Sequence, residues 1–181
     1  MPLKTIQKRN IYWAISFVSL LFISISSYYL LGGFDDYKVT GSSNNHYTIA
    51  GRWVSGLGVY QEEQDAFEEM GQLILDDKLQ GVLCLIDFQP DSLERHEVHR
   101  FVGVLMEEDV FLIPKGLDVY EIKSETSFMV PLTMHPLVMP NTKTVQEKIF
   151  SYADSAGYHL KNFTLERFYQ DESVLVEMFA K

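Results

Sequence analysis

Two β-rich runs, Gly81-Val-Leu-Cys-Leu-Ile-Asp-Phe88 and Arg100-Phe-Val-Gly-Val-Leu-Met106, decide the fold of this chain. Both are short and rich in β-branched and aromatic residues, which is typical of strands. A second pair of runs, Phe163-Thr-Leu-Glu-Arg-Phe-Tyr169 and Val174-Leu-Val-Glu-Met-Phe179, has the same character near the C-terminus. The sequence therefore predicts two pairs of strands.

A helix is predicted before each pair of strands. Residues 61–79 and residues 145–156 both carry apolar side chains at helical spacing. Thr144-Val-Gln-Glu147 has the spacing of a capping box, which would begin the second helix. Gly81 and Gly157 follow the two predicted helices, where a left-handed residue commonly ends a helix.

Each helix is preceded by a predicted hairpin. The β-rich stretch of residues 37–54 is interrupted by Gly41-Ser-Ser-Asn-Asn45, and the stretch of residues 120–134 is interrupted by Ser124-Glu-Thr126. A polar break between two β-rich runs is what a hairpin requires. We therefore expect a turn at each of the two breaks.

The same unit of hairpin, helix, strand and strand thus occurs twice, in residues 37–107 and 117–180. The fold class expected is α+β, in one domain spanning residues 33–181. One unit alone would be marginal, because its sheet has a face to cover and little to cover it with. We expect the two units to pack about a pseudo-twofold axis and to leave a cleft, a common location for ligand sites.

The N-terminal region is predicted to be one transmembrane helix, at residues 11–32. From Ile11 to Leu31 there are 21 residues without a formal charge, and as a helix they would span about 30 Å of bilayer hydrocarbon. Basic residues precede this segment, so the positive-inside rule places residues 1–10 in the cytoplasm and the C-terminal domain across the membrane. A cleaved signal peptide is the alternative, although bulky residues occupy the place of its cleavage site.

The amino-acid composition limits the classes of function that this protein can have. The chain has 181 residues, of which 46% are hydrophobic, and a formal net charge of −10. The first 33 residues contain three basic residues and no acidic one, so the remainder carries the difference, −13. A body this acidic repels phosphate backbones, and we expect no nucleic-acid partner. The single cysteine, Cys84, excludes an internal disulfide and is expected to be a small core residue.

Three segments carry a resemblance to a known family. They are Gly81-Val-Leu-Cys-Leu-Ile-Asp-Phe-Gln-Pro90, Arg100-Phe-Val-Gly-Val104 and Leu165-Glu-Arg-Phe-Tyr-Gln-Asp171. In order and spacing they are similar to motifs of the GyrI-like small-molecule-binding family, which includes effector-binding domains of multidrug-sensing transcription factors. The resemblance covers residues 37–181 and implies two packed repeats of the SHS2 type. The family's tyrosine two residues after the glutamate is Phe168 here, which implies a more apolar site.

The resemblance implies that Glu166 lies in the cleft and meets cationic or aromatic ligands. A solvent-facing strand residue is the alternative for this carboxylate. Aromatic side chains can complete such a site by stacking or cation–π contact, although each can equally be a core residue. The predicted ligand-binding residues are Glu166, Trp53, Tyr60, Phe88, Tyr120 and Phe168.

These residues predict a membrane-anchored sensor or scavenger of small apolar or cationic molecules, without catalysis and without a cofactor. A hydrolase of small electrophilic compounds is the alternative, with Glu166 as general base and Tyr60 or Tyr120 as proton partner. A scaffold that recruits a partner protein through exposed strand edges is a third interpretation.

A metal site is not expected. His96-Glu-Val-His99 lacks the two residues between glutamate and second histidine that the zincin motif needs, so the histidines are not at helical i, i+4 spacing. Arg100 next to this segment is expected to pair with an acid across the sheet.

Overall fold

A computed structural model describes residues 3–89, 97–106 and 113–181. Within these residues are three helices and six strands, which cover most of the described chain. In chain order they are α1 (Leu3–Leu30), β1 (Thr40–Leu57), α2 (Tyr60–Leu75), β2 (Gly81–Phe88), β3 (Glu97–Met106), β4 (Asp118–Leu132), α3 (Thr142–Ser155), β5 (Leu160–Phe168) and β6 (Val174–Ala180).

The six strands form a closed antiparallel barrel in the order β1-β3-β2-β5-β6-β4. The α+β class and the four strands predicted from the apolar runs are confirmed, with β3 and β5 each beginning three residues earlier than predicted. The order of strand, helix, strand and strand occurs in residues 40–106 and again in residues 118–180. A pseudo-twofold relation between the two segments stays a prediction.

Both predicted hairpins are wrong, because β1 and β4 pass through the polar breaks without a turn. The two breaks lie opposite each other, with Asn45 paired with Ser124 in the ladder. Asn44 has a φ of 57° and is left out of the pairing, but the register of the two strands is the same on both sides of it. The Asn45 side chain donates to the Ser127 hydroxyl at 3.0 Å. The polar residues therefore bond to each other across two long strands, and this is why they are not turns.

Both helices differ from their predicted bounds. α2 ends at Leu75, four residues before the predicted end, and Gly81 is the first residue of β2 rather than the end of the helix. The predicted capping box at Thr144 is wrong: Asn141 is the N-cap, and its side chain accepts from the Thr144 amide at 2.9 Å. Since an Asn side chain caps the third helical amide, α3 begins at Thr142. Gly157 does follow α3, with a φ of 81°.

Side chains alternate between the two faces of the barrel wall, as strand geometry requires. On β3, Phe101 belongs to the core inside the barrel, whereas Val102 belongs to a second core that α2 covers from outside. Cys84 is fully buried in the inner core, where burial raises the pKa of its thiol to about 12. This agrees with its expected role as a small core residue.

The inner face also contains a buried ion pair. Glu177 is fully buried, and its carboxylate accepts from Arg167 and from the Ser127 hydroxyl. The Tyr47 hydroxyl donates to the same carboxylate at 3.4 Å, and burial raises the pKa of Tyr47. Burial likewise raises the pKa of Glu177, so its charge depends on these partners. The network joins β1, β4, β5 and β6.

The chain divides into two compact units. One is the barrel with α2 and α3, in residues Tyr37–Thr133 and Pro140–Lys181. The other contains α1 and the residues up to Asp36, together with Met134–Met139. In this second unit the His135 amide donates to the Leu31 carbonyl at 3.1 Å.

The segment Asn10–Leu30 of α1 has the length and composition of a membrane span. Its 21 residues have a mean hydropathy of 1.6. Its large apolar side chains are exposed, among them Trp13 at 73% and Phe22 at 71%. A signal sequence has the same composition and length, so these properties alone allow either interpretation.

Candidate functional site

A pocket of about 520 Å³ lies on the outer face of the barrel beside α3. Strand residues form one wall and the first half of α3 forms the other. We call it the cleft pocket, and its lining residues are Asp87, Gln89, Arg100, Thr142, Lys143, Gln146, Glu147, Phe150, Glu166 and Met178.

Glu166 reaches this pocket because of its position on β5. Leu165 faces the inner core, so the next residue along the strand faces outward. In the ladder Glu166 lies between Leu85 of β2 and Val176 of β6, two apolar neighbours. Only 9% of Glu166 is exposed, so water reaches it from the pocket side alone.

This burial changes the acidity of the carboxyl group. The pKa of Glu166 is raised from its ordinary value of 4.5 to about 7, chiefly by desolvation, and the nearby charges of Asp87 and Glu63 act in the same direction. A hydrogen bond from Thr142 and the charge of Arg100 act in the opposite direction. Near neutral pH both the neutral and the ionised form of the Glu166 carboxyl group are therefore populated.

Arg100 holds two carboxylates at the floor of the pocket. Its Nε lies 2.9 Å from Asp87 Oδ1 on the adjacent strand, as expected for a pair across the sheet, and its Nη1 lies 2.7 Å from Glu63 Oε2 on α2. The three side chains are 28%, 19% and 18% exposed. Three carboxylates, counting Glu166, thus surround one guanidinium. Two carboxylates and one guanidinium already give this group a net negative charge, and the ionisation of Glu166 adds another negative charge.

The lining of the pocket also includes two large apolar side chains. They are Phe150 of α3, which is 58% exposed, and Met178 of β6. Lys143 and Glu147 on α3 carry opposite charges. The pocket therefore combines carboxylates with apolar side chains, the combination that a cation with an apolar body requires.

Three of the predicted aromatic ligand residues lie together, but inside the barrel. The Trp53 ring lies 5.3 Å from Phe88 and 5.9 Å from Tyr120, and Phe88 lies 5.5 Å from Tyr120, measured between centroids. Trp53 also stacks on His99 at 4.7 Å and is 41% exposed. This cluster borders the inner core, so the barrel wall separates it from Glu166.

The two remaining predicted residues lie elsewhere. Phe168 packs against Phe67 of α2 at 5.6 Å, within the outer core. Tyr60 is the first residue of α2 and is 77% exposed. Neither of them lines the cleft pocket. The predicted catalytic set of Glu166, Tyr60 and Tyr120 is therefore not brought together.

Several pocket residues were missed by the sequence reasoning. Asp87 lies within the motif Gly81–Pro90, on the opposite face of β2 from Phe88. Thr142 lies before the predicted start of the helix, whereas Phe150 lies within the predicted helix. His96 of the rejected metal motif lies outside the described residues, and among those described no group of three His, Cys, Asp or Glu side chains has an arrangement that could hold a metal ion.

Several solved structures share this fold. EcmrR in a complex with DNA matches 96% of this chain and 70% of its own, with a TM-score of 0.56 and 11% identity. The C-terminal domain of EcmrR matches 80% of this chain and 96% of its own, with a TM-score of 0.53 and 11% identity. A hydrolase from Listeria innocua matches 80% of this chain and 92% of its own, with a TM-score of 0.53 and 7% identity. At these identities the likeness shows the fold alone.

No protein-family model and no curated protein sequence matches the chain. Because the EcmrR structure contains DNA, the exclusion of a nucleic-acid partner from charge stays a prediction for this chain.

Proposed function

We propose that this protein is a membrane-anchored, GyrI-like binding module that holds a lipophilic cation in the cleft pocket. The observation that carries the proposal is Glu166, a carboxylate only 9% exposed at the wall of a 520 Å³ pocket. An isolated buried charge is costly, so a carboxylate is retained there at the expense of stability. A bound cation would offset that cost.

The surrounding charges favour a cation over an anion. Arg100 is already bonded to Asp87 and Glu63, so it has little capacity left for Glu166. Coulomb attraction between Glu166 and a cation at about 4 Å is worth about 4 kcal/mol at an effective dielectric constant of 20. Phe150 and Met178 supply the surface on which the apolar part of the ligand would lie.

The anchor would be α1. Its apolar side chains are exposed along Asn10–Leu30, and such a surface is stable in lipid rather than in water. With Lys4, Lys8 and Arg9 before the span, the N-terminus would be cytoplasmic and the barrel would lie on the other side of the membrane. Amphiphilic cations concentrate at membrane surfaces, so tethering would place the module near its ligands.

Binding can be measured as a thermal shift of the full chain in a non-ionic detergent. Tetraphenylphosphonium is a suitable probe, because its charge does not depend on pH. At 100 times the Kd we expect a stabilisation of about 2.7 kcal/mol, or about 5–10 °C. The shift should be larger at pH 8, where Glu166 is ionised, than at pH 5.5, where it is protonated.

Glu166→Gln should weaken the binding by about tenfold or more, since it removes the charge and keeps the shape. Glu68→Gln is the matched control: it removes an exposed carboxylate of α2 that does not line the pocket. Equal affinities of the wild type and Glu166→Gln at pH 8 would refute the role of Glu166. The absence of a shift with any of a panel of lipophilic cations would refute the function.

Hydrolysis is the second candidate, because a carboxyl group with a pKa of about 7 is suited to act as a general base at neutral pH. The base would have to act without the predicted tyrosines, since neither lines the pocket. Turnover of a small epoxide or ester that disappears in Glu166→Gln but persists in Glu68→Gln would favour it. Unchanged turnover in Glu166→Gln would exclude Glu166 from the reaction.

A further inference from the structure

A second pocket, of about 680 Å³, lies at the end of the barrel where β5 begins and β6 ends. It shares no lining residue with the cleft pocket. Three lysines line it, Lys123 of β4, Lys161 of β5 and Lys181, and we call it the lysine pocket. Three of the twelve lysines and arginines that follow residue 33 thus meet at one place on an acidic protein.

The lysine charges are only partly neutralised. Lys123 pairs with Glu121 at 2.8 Å, and Glu125 also lines the pocket. Among the ion pairs found in the part of the chain that the structure describes, none includes Lys161 or Lys181. An exposed pair such as Lys123–Glu121 is worth at most about 1 kcal/mol, so an anion can replace Glu121 as the partner of Lys123.

The pocket also holds its donors in place. The Lys161 ammonium donates to the Lys123 backbone carbonyl at 2.8 Å, which fixes the position of the Lys161 side chain at the pocket. Tyr158 also lines the pocket and provides a hydroxyl group. Ammonium and hydroxyl donors around a concave site are what a phosphate group binds, with lysine acting as a point charge.

We infer that the lysine pocket binds a phosphate-bearing anion, at a site independent of the cation in the cleft pocket. Two sources offer this chemistry, a soluble phosphate compound and the headgroup of an anionic phospholipid. Both present a phosphate group to the same donors, and the choice of probe distinguishes them.

The test uses isothermal titration calorimetry on the full chain in a non-ionic detergent at low salt. One arm titrates inorganic pyrophosphate, and the other titrates dihexanoyl phosphatidic acid, a short-chain soluble lipid. Lys123→Gln combined with Lys161→Gln should weaken binding by about tenfold, since each exposed charge contact accounts for about two- to fivefold. The matched control combines Lys78→Gln with Lys115→Gln, which changes the net charge equally but lies outside the pocket.

The control should weaken binding by less than about twofold, because distant surface charges are screened. Binding of pyrophosphate that depends on the pocket lysines supports the inference with a soluble ligand. Binding of phosphatidic acid alone, with the same dependence, supports it with a lipid headgroup. The inference is overturned if the wild type binds neither probe, or if the control loses as much affinity as the pocket variant. Circular dichroism establishes that both variants are folded.

Discussion

The sharpest consequence of the buried carboxyl group is a pH-dependent cost to stability. Glu166 has an ordinary pKa of 4.5 when unfolded and a pKa of about 7 in the folded protein, chiefly through desolvation. The folded state therefore binds this proton more tightly than the unfolded state does. The contribution that this proton makes to the free energy of unfolding is therefore fully present below pH 4.5 and is lost as the pH rises through 7.

The size of the effect follows from the two pKa values. Each pKa unit corresponds to about 1.4 kcal/mol, so the rise from 4.5 to about 7 amounts to about 3 kcal/mol. Glu166→Gln keeps the shape but has no proton to lose. We expect the free energy of unfolding of the wild type, relative to that of the variant, to fall by about 3 kcal/mol between pH 4.5 and pH 8.5.

The assay is urea unfolding of both proteins in a non-ionic detergent, followed by fluorescence at several values of pH. Comparing the two proteins removes the contributions of groups that titrate in both. Glu68→Gln serves as the control, because Glu68 is exposed in the folded state. A difference between wild type and Glu166→Gln that stays constant from pH 4.5 to pH 8.5 would refute the desolvation of Glu166.

Four further substitutions test the packing, the helix cap and the buried ion pair. Gly51→Ala should destabilise the protein strongly, because the new Cβ would lie 2.1 Å from a carbonyl oxygen of the neighbouring strand. Gly71→Ala on α2 has open space around it and should add about 1 kcal/mol to the free energy of unfolding. Thermal unfolding that ranks the two variants in the other order would contradict the barrel register. Asn141→Ala should lower the free energy of unfolding, measured with urea, by about 1 kcal/mol, because it removes the cap of α3. An unchanged free energy of unfolding would mean that α3 begins elsewhere. Glu177→Ala should cost about 3–5 kcal/mol, because it leaves the Arg167 charge buried without its partner; a loss below 1 kcal/mol by the same measurement would mean that water reaches the pair.

The strands of the barrel could be predicted where burial dictates the sequence. β2 and β6 begin at the residues expected, since their residues are apolar apart from one acid in each strand, Asp87 and Glu177. The two helices α2 and α3 could be predicted from the helical spacing of their apolar residues, but their first and last residues could not. The start of α3 depends on which of two nearby polar residues, Asn141 or Thr144, caps it, and the two alternatives place the start of the helix three residues apart.

The hairpin error has a different origin. Polar residues predicted two turns, but the two breaks pair with each other in the ladder, and Asn45, which is 8% exposed, bonds to Ser127, which follows the second break and is fully buried. Their hydrogen bond, together with the Arg167–Glu177 pair, makes a polar layer within the barrel. In the sequence the residues of such a layer resemble two loops, because the hydrogen-bond partner of each polar group can lie far away along the chain. Asn45 and Ser127 are more than 80 residues apart.

The candidate site could be predicted for the carboxylate but not for the aromatic residues, and strand geometry explains the difference. Neighbouring residues of a strand point to opposite faces, so Asp87 and Phe88 cannot both face the cleft pocket. The ladder pairs Phe88 with Phe163 and Leu85 with Glu166, which puts Glu166 on the face of Asp87 and Phe88 on the face of Trp53. A shift of one residue in this register would exchange the two sets. The cleft pocket and the aromatic cluster therefore lie on opposite faces of one wall, and a ligand in the cleft pocket would meet Glu166 and Phe150 rather than Trp53.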